Sequence, residues 1–441
     1  MGRNNRIKNI TAIVLCFVFL AVLSFMSSGV SEKVVFLRSG GTGDGSSFEN
    51  SIGDFKEAVK ILAKTGGKIV ICGKYTFTEL INLSEKSGTS NGSKVITVTS
   101  VNGDNDYRQT NNAVLSFGDG KYSANMLLAG KFVFENLNIV TNGGNVPRYV
   151  ICNGYETVFG EGIVCEKKGN APFLSIIGIS LEDKLTHSGG KLTVKSGTYY
   201  NVCSGNRDGN SVGDTFLTID GGTFEGSVSA SGYNSIGIKQ EGNAALIING
   251  GNFYGPVGCI SPVSNDFDFT VNGGYFRKEL SAQGKINTLN INGGNMQNIM
   301  AVNIADYIEE PPETNEDGET VETKAADAKK SSVNINQYEG NVDKLIEKIK
   351  GLGILINKNT LGGNDAETTE ILITAPAEPE SDSLQSENYE VQQTEELPEK
   401  ENERQYYLGS RQNTVLAISA IGVVIALAII MFAYRTVYRK K

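Results

Sequence analysis

One phrase recurs along this chain and limits what it can fold into. Leu217-Thr-Ile-Asp-Gly-Gly-Thr-Phe-Glu-Gly226 returns as Leu246-Ile-Ile-Asn-Gly-Gly-Asn-Phe-Tyr-Gly255, as Phe269-Thr-Val-Asn-Gly-Gly-Tyr-Phe-Arg-Lys278 and as Leu289-Asn-Ile-Asn-Gly-Gly-Asn-Met-Gln-Asn298. A looser copy, Leu192-Thr-Val-Lys-Ser-Gly-Thr-Tyr-Tyr-Asn201, precedes them. Copies starting roughly 20 to 29 residues apart imply stacked coils, not one globular core. Each copy opens with alternation, Leu217 and Ile219 against Thr218 and Asp220, the pattern of a strand with one buried face. Gly-Gly then turns the backbone, and a bulky apolar residue (Phe224, Phe253, Phe276, Met296) points back inside. A single coil cannot bury that face, so its neighbours must stack on it.

The residue before Gly-Gly is Asp220, Asn249, Asn272 and Asn292, with Lys195 in the loose copy. Asn suits turns, and stacked Asn side chains hydrogen-bond to one another, so this column is expected to be a structural ladder and not a ligand site. Asn336, in Val333-Asn-Ile-Asn336, marks where the ladder resumes after an insertion.

Upstream, residues 34–37 form a strand. Phe55, Ala58, Val59 and Leu62 have helical spacing behind Asp54 as N-cap. Gly66-Gly67 ends that helix, and a strand begins at Lys68. An amphipathic helix here caps the open first coil. Further strand-turn units follow at 95–98, 113–115, 132–134, 137–139, 150–152 and 163–165. They are less regular than the later copies. The expected stack has about ten coils, about 4.8 Å apart.

Gly43-Asp-Gly-Ser-Ser-Phe48, the helix, the Gly-Gly-Lys-Ile-Val strand and the later Gly-Gly coils together resemble the pectin-lyase-like superfamily. The resemblance covers about 34–304, with 332–356 as a further piece. It implies an all-β, right-handed parallel β-helix with an N-terminal capping helix. It does not imply one activity, because that fold hosts lyases, hydrolases, esterases and adhesins.

The two ends read as targeting segments. Arg3, Arg6 and Lys8 precede an apolar run over 10–25, then Ser27, Ser28 and Gly29, so 1–29 is expected to be a signal peptide. The β-helix ectodomain is expected over 30–362, interrupted by a disordered acidic insertion at 307–331. An acidic, extended stalk follows at 363–412. Residues 413–434 form an uncharged transmembrane helix, and 435–441 a basic cytoplasmic tail, which makes a single-pass type I protein with its head outside the cell.

The net charge of −9 argues against a nucleic-acid partner. Five cysteines remain after signal removal, an odd number without zinc-like spacing. Buried free thiols are the expected state, and neither metal nor cofactor is implied. A polysaccharide-cleaving β-helix of the polygalacturonase-like kind carries Asn-Thr-Asp, Asp-Asp, Gly-His-Gly and Arg-x-Lys. Here no Asp-Asp pair occurs, and the one histidine, His187, lies in a loop beside Ser188-Gly-Gly190. The Arg-x-Pro-x-x-Arg of pectate-lyase-like enzymes is also missing.

The acidic candidates for acid–base work on a glycosidic bond are Asp208, Asp214 and Glu225. For the first two, in a loop over 205–214, turn formation is the competing explanation. A more informative column follows the inward aromatic: Tyr200, Glu225, Tyr254, Arg277 and Gln297, all expected to face outward. Tyr200 and Tyr254 can each take a sugar face, Glu225 can accept from hydroxyls, and Arg277 can pair with a uronate. These residues point to recognition of a linear, acidic polysaccharide lying along the coil axis, without cleavage. A lyase or hydrolase with an unrecognised acidic site, and a surface rod binding protein partners, are the alternatives.

Overall fold

The computed structural model describes residues 32–118, 124–181, 189–208, 210–233, 240–305, 330–336, 338–351, 354–359 and 369–373. These residues build nearly everything from parallel strands, with three short helices among them. One sheet holds thirteen strands, from Val34–Leu37 through Asn287–Ile291, Ser332–Asn336 and Ile354–Asn359 to Thr369–Ile373. Every neighbouring pair in it is parallel except the last. A second sheet holds ten parallel strands, from Ile81–Asn82 to Ile349–Lys350. Strands of the two sheets alternate along most of the chain, so most coils add one rung to each. This is the stacked, solenoid-like arrangement that the repeats imply, compatible with a parallel β-helix.

A third face is narrower and changes character part-way along. Its first four strands, Lys74–Phe77, Val114–Phe117, Asn138–Gly143 and Val164–Gly169, are 4, 4, 6 and 6 residues long. The next four, Thr198–Tyr199, Thr223–Phe224, Asn252–Phe253 and Tyr275–Phe276, have 2 residues each. The seam of this face lies between Val164–Gly169 and Thr198–Tyr199.

The repeat phrase explains the later coils atom by atom. Tyr199, Phe224, Phe253 and Phe276 are buried in a continuous inward stack. Phe224–Phe253 and Phe253–Phe276 lie 5.0 and 4.8 Å apart, within 6° of parallel. The two glycines of each turn are required for different reasons. A Cβ on Gly273 would stand 2.5 Å from the Asn249 carbonyl oxygen of the preceding coil, whereas Gly274 has φ +105. In the loose copy, Ser196 fits the first position because its hydroxyl donates to Gly160 O (2.7 Å) and accepts from Ile163 N (3.0 Å).

The Asn ladder runs as expected. Asn249 donates to Asp220 (2.8 Å), Asn272 to Asn249 (2.8 Å), Asn292 to Asn272 (2.8 Å) and Asn336 to Asn292 (2.9 Å). The last bond crosses from one side of the insertion to the other. A second, unanticipated ladder links Thr270, Asn290, Asn334 and Asn357 on the first sheet.

The N-terminal helix spans Phe55–Leu62, with Asp54 accepting from the Lys56 and Glu57 amides and Phe55, Ala58, Val59 and Leu62 fully buried. At the other end, Val342–Ile346 is a single short helix, and Thr369–Ile373 closes the sheet antiparallel to Ile354–Asn359. That strand falls within the stretch expected to be stalk, so the folded head extends past residue 363. Ser331, at the expected end of the insertion, is already buried and accepts from Asn287 N (2.8 Å). The expected signal peptide, transmembrane helix and cytoplasmic tail lie outside the described residues, as do most of the stalk and insertion. Among the described residues no helix is long and apolar enough to cross a membrane.

The five described cysteines are unpaired. Burial pushes the thiols of Cys152, Cys165 and Cys259 up to about 12. Cys203 lies outside the main core, in a small cluster with Tyr149, Ile151 and Ile177 on the outer side of the second sheet, beneath Leu181 and Tyr233.

Candidate functional site

The outward column is assembled by backbone bonds between successive coils. Glu225 N donates to Tyr199 O, Tyr254 N to Phe224 O and Arg277 N to Phe253 O, all at 2.9–3.0 Å. Because Phe224, Phe253 and Phe276 point inward, their successors must point outward. Tyr200 is 38% exposed and Tyr254 40%, and Glu225, Arg277 and Gln297 are exposed as well.

The column is not uniform. At the seam of the third face, the six-residue strand Val164–Gly169 projects beyond the two-residue strand that follows it. Tyr200 and Glu225 stand at the foot of this ledge. They line an open cleft of about 720 Å³ together with Asn145, Lys167, Asn170 and Pro172. Lys167 Nζ reaches Glu225 Oε2 at 3.2 Å and lies 4.7 Å from the centre of the Phe173 ring. Among the described residues Glu225 is the only carboxylate lining the cleft.

The opposite wall, Asn145 to Pro147, is held from behind by Arg148. This side chain is 2% exposed, and its guanidinium donates to the carbonyls of Asn142, Gly144 and Val146. Burial lowers its pKa from the ordinary arginine value. The cleft thus combines a tyrosine ring and prolines with amides and one ion pair. Such a lining offers stacking and hydrogen-bonding groups together, which suits a hydroxylated ring.

Further along, Tyr254 packs edge-on against Tyr275 of the next coil, with centroids 6.4 Å apart. Asn298 Nδ2 lies 3.4 Å from the Tyr275 hydroxyl. Tyr254 therefore has an aromatic partner that the column alone did not reveal.

The acidic loop candidates are engaged elsewhere. Asp208 pairs with Arg207, whose guanidinium lies 5.4 Å from the Tyr149 ring centre. Tyr149 and Tyr233 bring their hydroxyls to 3.5 Å there, and burial pushes the Tyr233 phenol well above its ordinary value. Asp214 accepts from Asn243 N (2.9 Å) and Nδ2 (3.2 Å), tying one coil to the next. Neither aspartate lines the cleft that holds Glu225. His187 lies outside the described residues. No group of acidic, histidine or cysteine side chains with metal-binding geometry occurs among the described residues.

Lys167, Asn145, Asn170 and Arg148 were not anticipated. They come from coils too irregular for their alignment with the repeats to be visible in the sequence. Searches of protein-family models, curated proteins and solved structures found no match to this chain.

Proposed function

We propose that this chain is a membrane-anchored, extracellular, right-handed parallel β-helix of the pectin-lyase-like kind that recognises a polysaccharide on its third face without cutting it. The observation that carries this reading is the cleft at the seam, where Tyr200 and Glu225 meet Lys167 and flanking amides. An aromatic face beside polar groups of both donor and acceptor type is the recurring chemistry of sugar binding, with the ring stacking and the hydroxyls paired.

The carboxylates favour recognition over hydrolysis in this reading. Retaining and inverting hydrolysis both use two carboxyl groups flanking the bond. Among the described residues this cleft offers one, and Lys167 pairs with it. Arg277, exposed two coils beyond Glu225, supplies a cation for a uronate if the glycan is acidic. The targeting segments supply location, with the basic cluster after residue 434 setting the tail in the cytoplasm.

The test is to incubate the full-length protein in detergent with a panel of neutral and acidic polysaccharides, following both retention and new chain ends. Retention of at least one polysaccharide without new ends is expected. Release of reducing ends or unsaturated uronates would replace this reading with a lyase or hydrolase. Retention of none would favour the protein-binding rod.

A further inference from the structure

The third face ends in a second cleft, built by a departure from the repeat. In four coils the ladder residue is followed by Gly-Gly. After Asn336 it is followed by Gln337-Tyr338. Tyr338 folds partly onto the core, where burial raises its phenol's pKa, and Gly340 leaves room beside it, since a Cβ there would stand 2.3 Å from the Tyr338 ring unless the ring shifted. The segment Tyr338–Gly340 thus becomes a wall standing over the glycine turns of the two preceding coils. Between wall and turns lies a space of about 620 Å³ lined by Asn272, Asn292, Asn295, Gln297, Tyr338 and Glu339.

The fold itself did not need this wall, since Gly-Gly serves the same turn in the coils before it. Its lining among the described residues also differs from that of the first cleft: four amides, a tyrosine and a carboxylate, with no cation. Asn272 and Asn292 each use one N–H and one lone pair in the ladder. Each amide still has a second N–H and a second lone pair for a ligand. Gln297 is the last member of the outward column and also lines this space, so both clefts lie on one face.

We infer that this second cleft is a further sugar subsite, selective for an uncharged, hydroxyl-rich ring, and that one linear glycan spans both clefts. The inference rests on the polysaccharide reading of the first cleft. Glu339 accepts from hydroxyls and disfavours a uronate at this end, whereas Lys167 and Arg277 tolerate one elsewhere. Tyr200 and Gln297 are four coils apart, about 19 Å at about 4.8 Å per coil. A chain long enough to cover that distance gains contacts that a disaccharide cannot make.

The experiment is calorimetric titration of the full-length protein with cello-, manno- and xylo-oligosaccharides of increasing length, and with oligogalacturonides of matching lengths. At least one neutral series should bind at least tenfold tighter once the chain spans both clefts. Gln297→Ala and Tyr338→Ala should abolish that gain with length, whereas Tyr200→Ala should weaken binding at every length. Gln297 is exposed, so its variant remains informative if Tyr338→Ala fails to fold. A length-dependent gain that survives Gln297→Ala overturns the second subsite alone. If no oligosaccharide of any series binds the unmodified protein, the first-cleft reading falls with it.

Discussion

The coils before the seam and those after it continue the same two sheets by different means. After the seam, coil after coil repeats one turn and one bulky inward residue (Tyr199, Phe224, Phe253, Phe276, Met296), and from Asp220 to Asn336 an amide bond ties each ladder residue to the next. Before it, the core is filled less uniformly. Phe134 and Phe159 stack at 4.9 Å, whereas Phe55 and Phe77 meet edge-on. No ladder of amides runs through those earlier turns among the described residues. The third-face strands there are long and outgrow their neighbours. Uniform coils give a flat column, and the change from long to short strands gives a ledge. The candidate site forms where the two regimes meet, because a recess requires a break in the repeat. The second cleft obeys the same logic, since it forms where Tyr338 interrupts the glycine turns.

If the two regions share one core, damage in either should spread. Phe253→Asp places an unpaired charge among stacked rings and should cost upwards of about 4 kcal/mol. Phe132→Asp, in the irregular region, should cost a comparable amount, since both residues are 1% exposed and belong to one apolar cluster. Thermal unfolding followed by circular dichroism checks this. Two well-separated transitions, with only one moved by each variant, would divide the core at the seam.

The turns should differ more sharply. Gly273→Ala drives a Cβ into the Asn249 carbonyl and should cost about 1–3 kcal/mol. Gly88→Ala meets nothing within 4 Å, so only its φ of +70 opposes the change, and it should cost about 1 kcal/mol, less than Gly273→Ala. Equal costs in denaturant titrations would mean that contact between coils does not set the glycine requirement. For the ladder, Asn272→Ala removes two exposed amide bonds and should cost about 1 kcal/mol. A larger loss would give the ladder a role in folding beyond its net hydrogen bonding.

The smallest effect concerns the ion pairs that tie the regions together. Glu156 lies between Lys131 (2.9 Å) and Lys191 (2.7 Å), and hydrogen bonds from both, Lys131 first, lower its pKa. A carboxyl group whose folded pKa is depressed stabilises the fold above its unfolded pKa, about 4.3, and loses that contribution as pH falls through the folded value. The group is partly solvated, so Glu156→Gln should cost below about 1 kcal/mol at pH 7. The difference from the unmodified protein should disappear under strongly acidic conditions. A gap in melting temperature that persists at low pH would assign the effect to packing instead of charge.

How much of this was legible in the sequence follows the same division. The Gly-Gly phrase gave strand, turn, inward ring and outward column, and Asn336 pointed across the insertion to the coil beyond it. The capping helix was readable from Asp54 and the spacing of Phe55, Ala58, Val59 and Leu62, because those signals are local. Tyr200 and Glu225 could be placed on a face, but their surroundings could not be read. Lys167 is 58 residues from Glu225, in a coil without the phrase, and only the spatial register of the coils brings them together. Tyr338 was hidden for a related reason, since its importance lies in replacing a glycine that the pattern leads one to expect.

The central claim is that the cleft at the seam binds a sugar ring through Tyr200. Its most direct test is the affinity of the full-length protein for a retained polysaccharide, measured with and without Tyr200→Ala, alongside the melting temperature of each. Tyr200 is exposed, so stability should shift by less than about 0.5 kcal/mol. Affinity should fall at least tenfold, equivalent to about 1.4 kcal/mol. Unchanged affinity at unchanged stability would contradict the account and leave the column a solvated face.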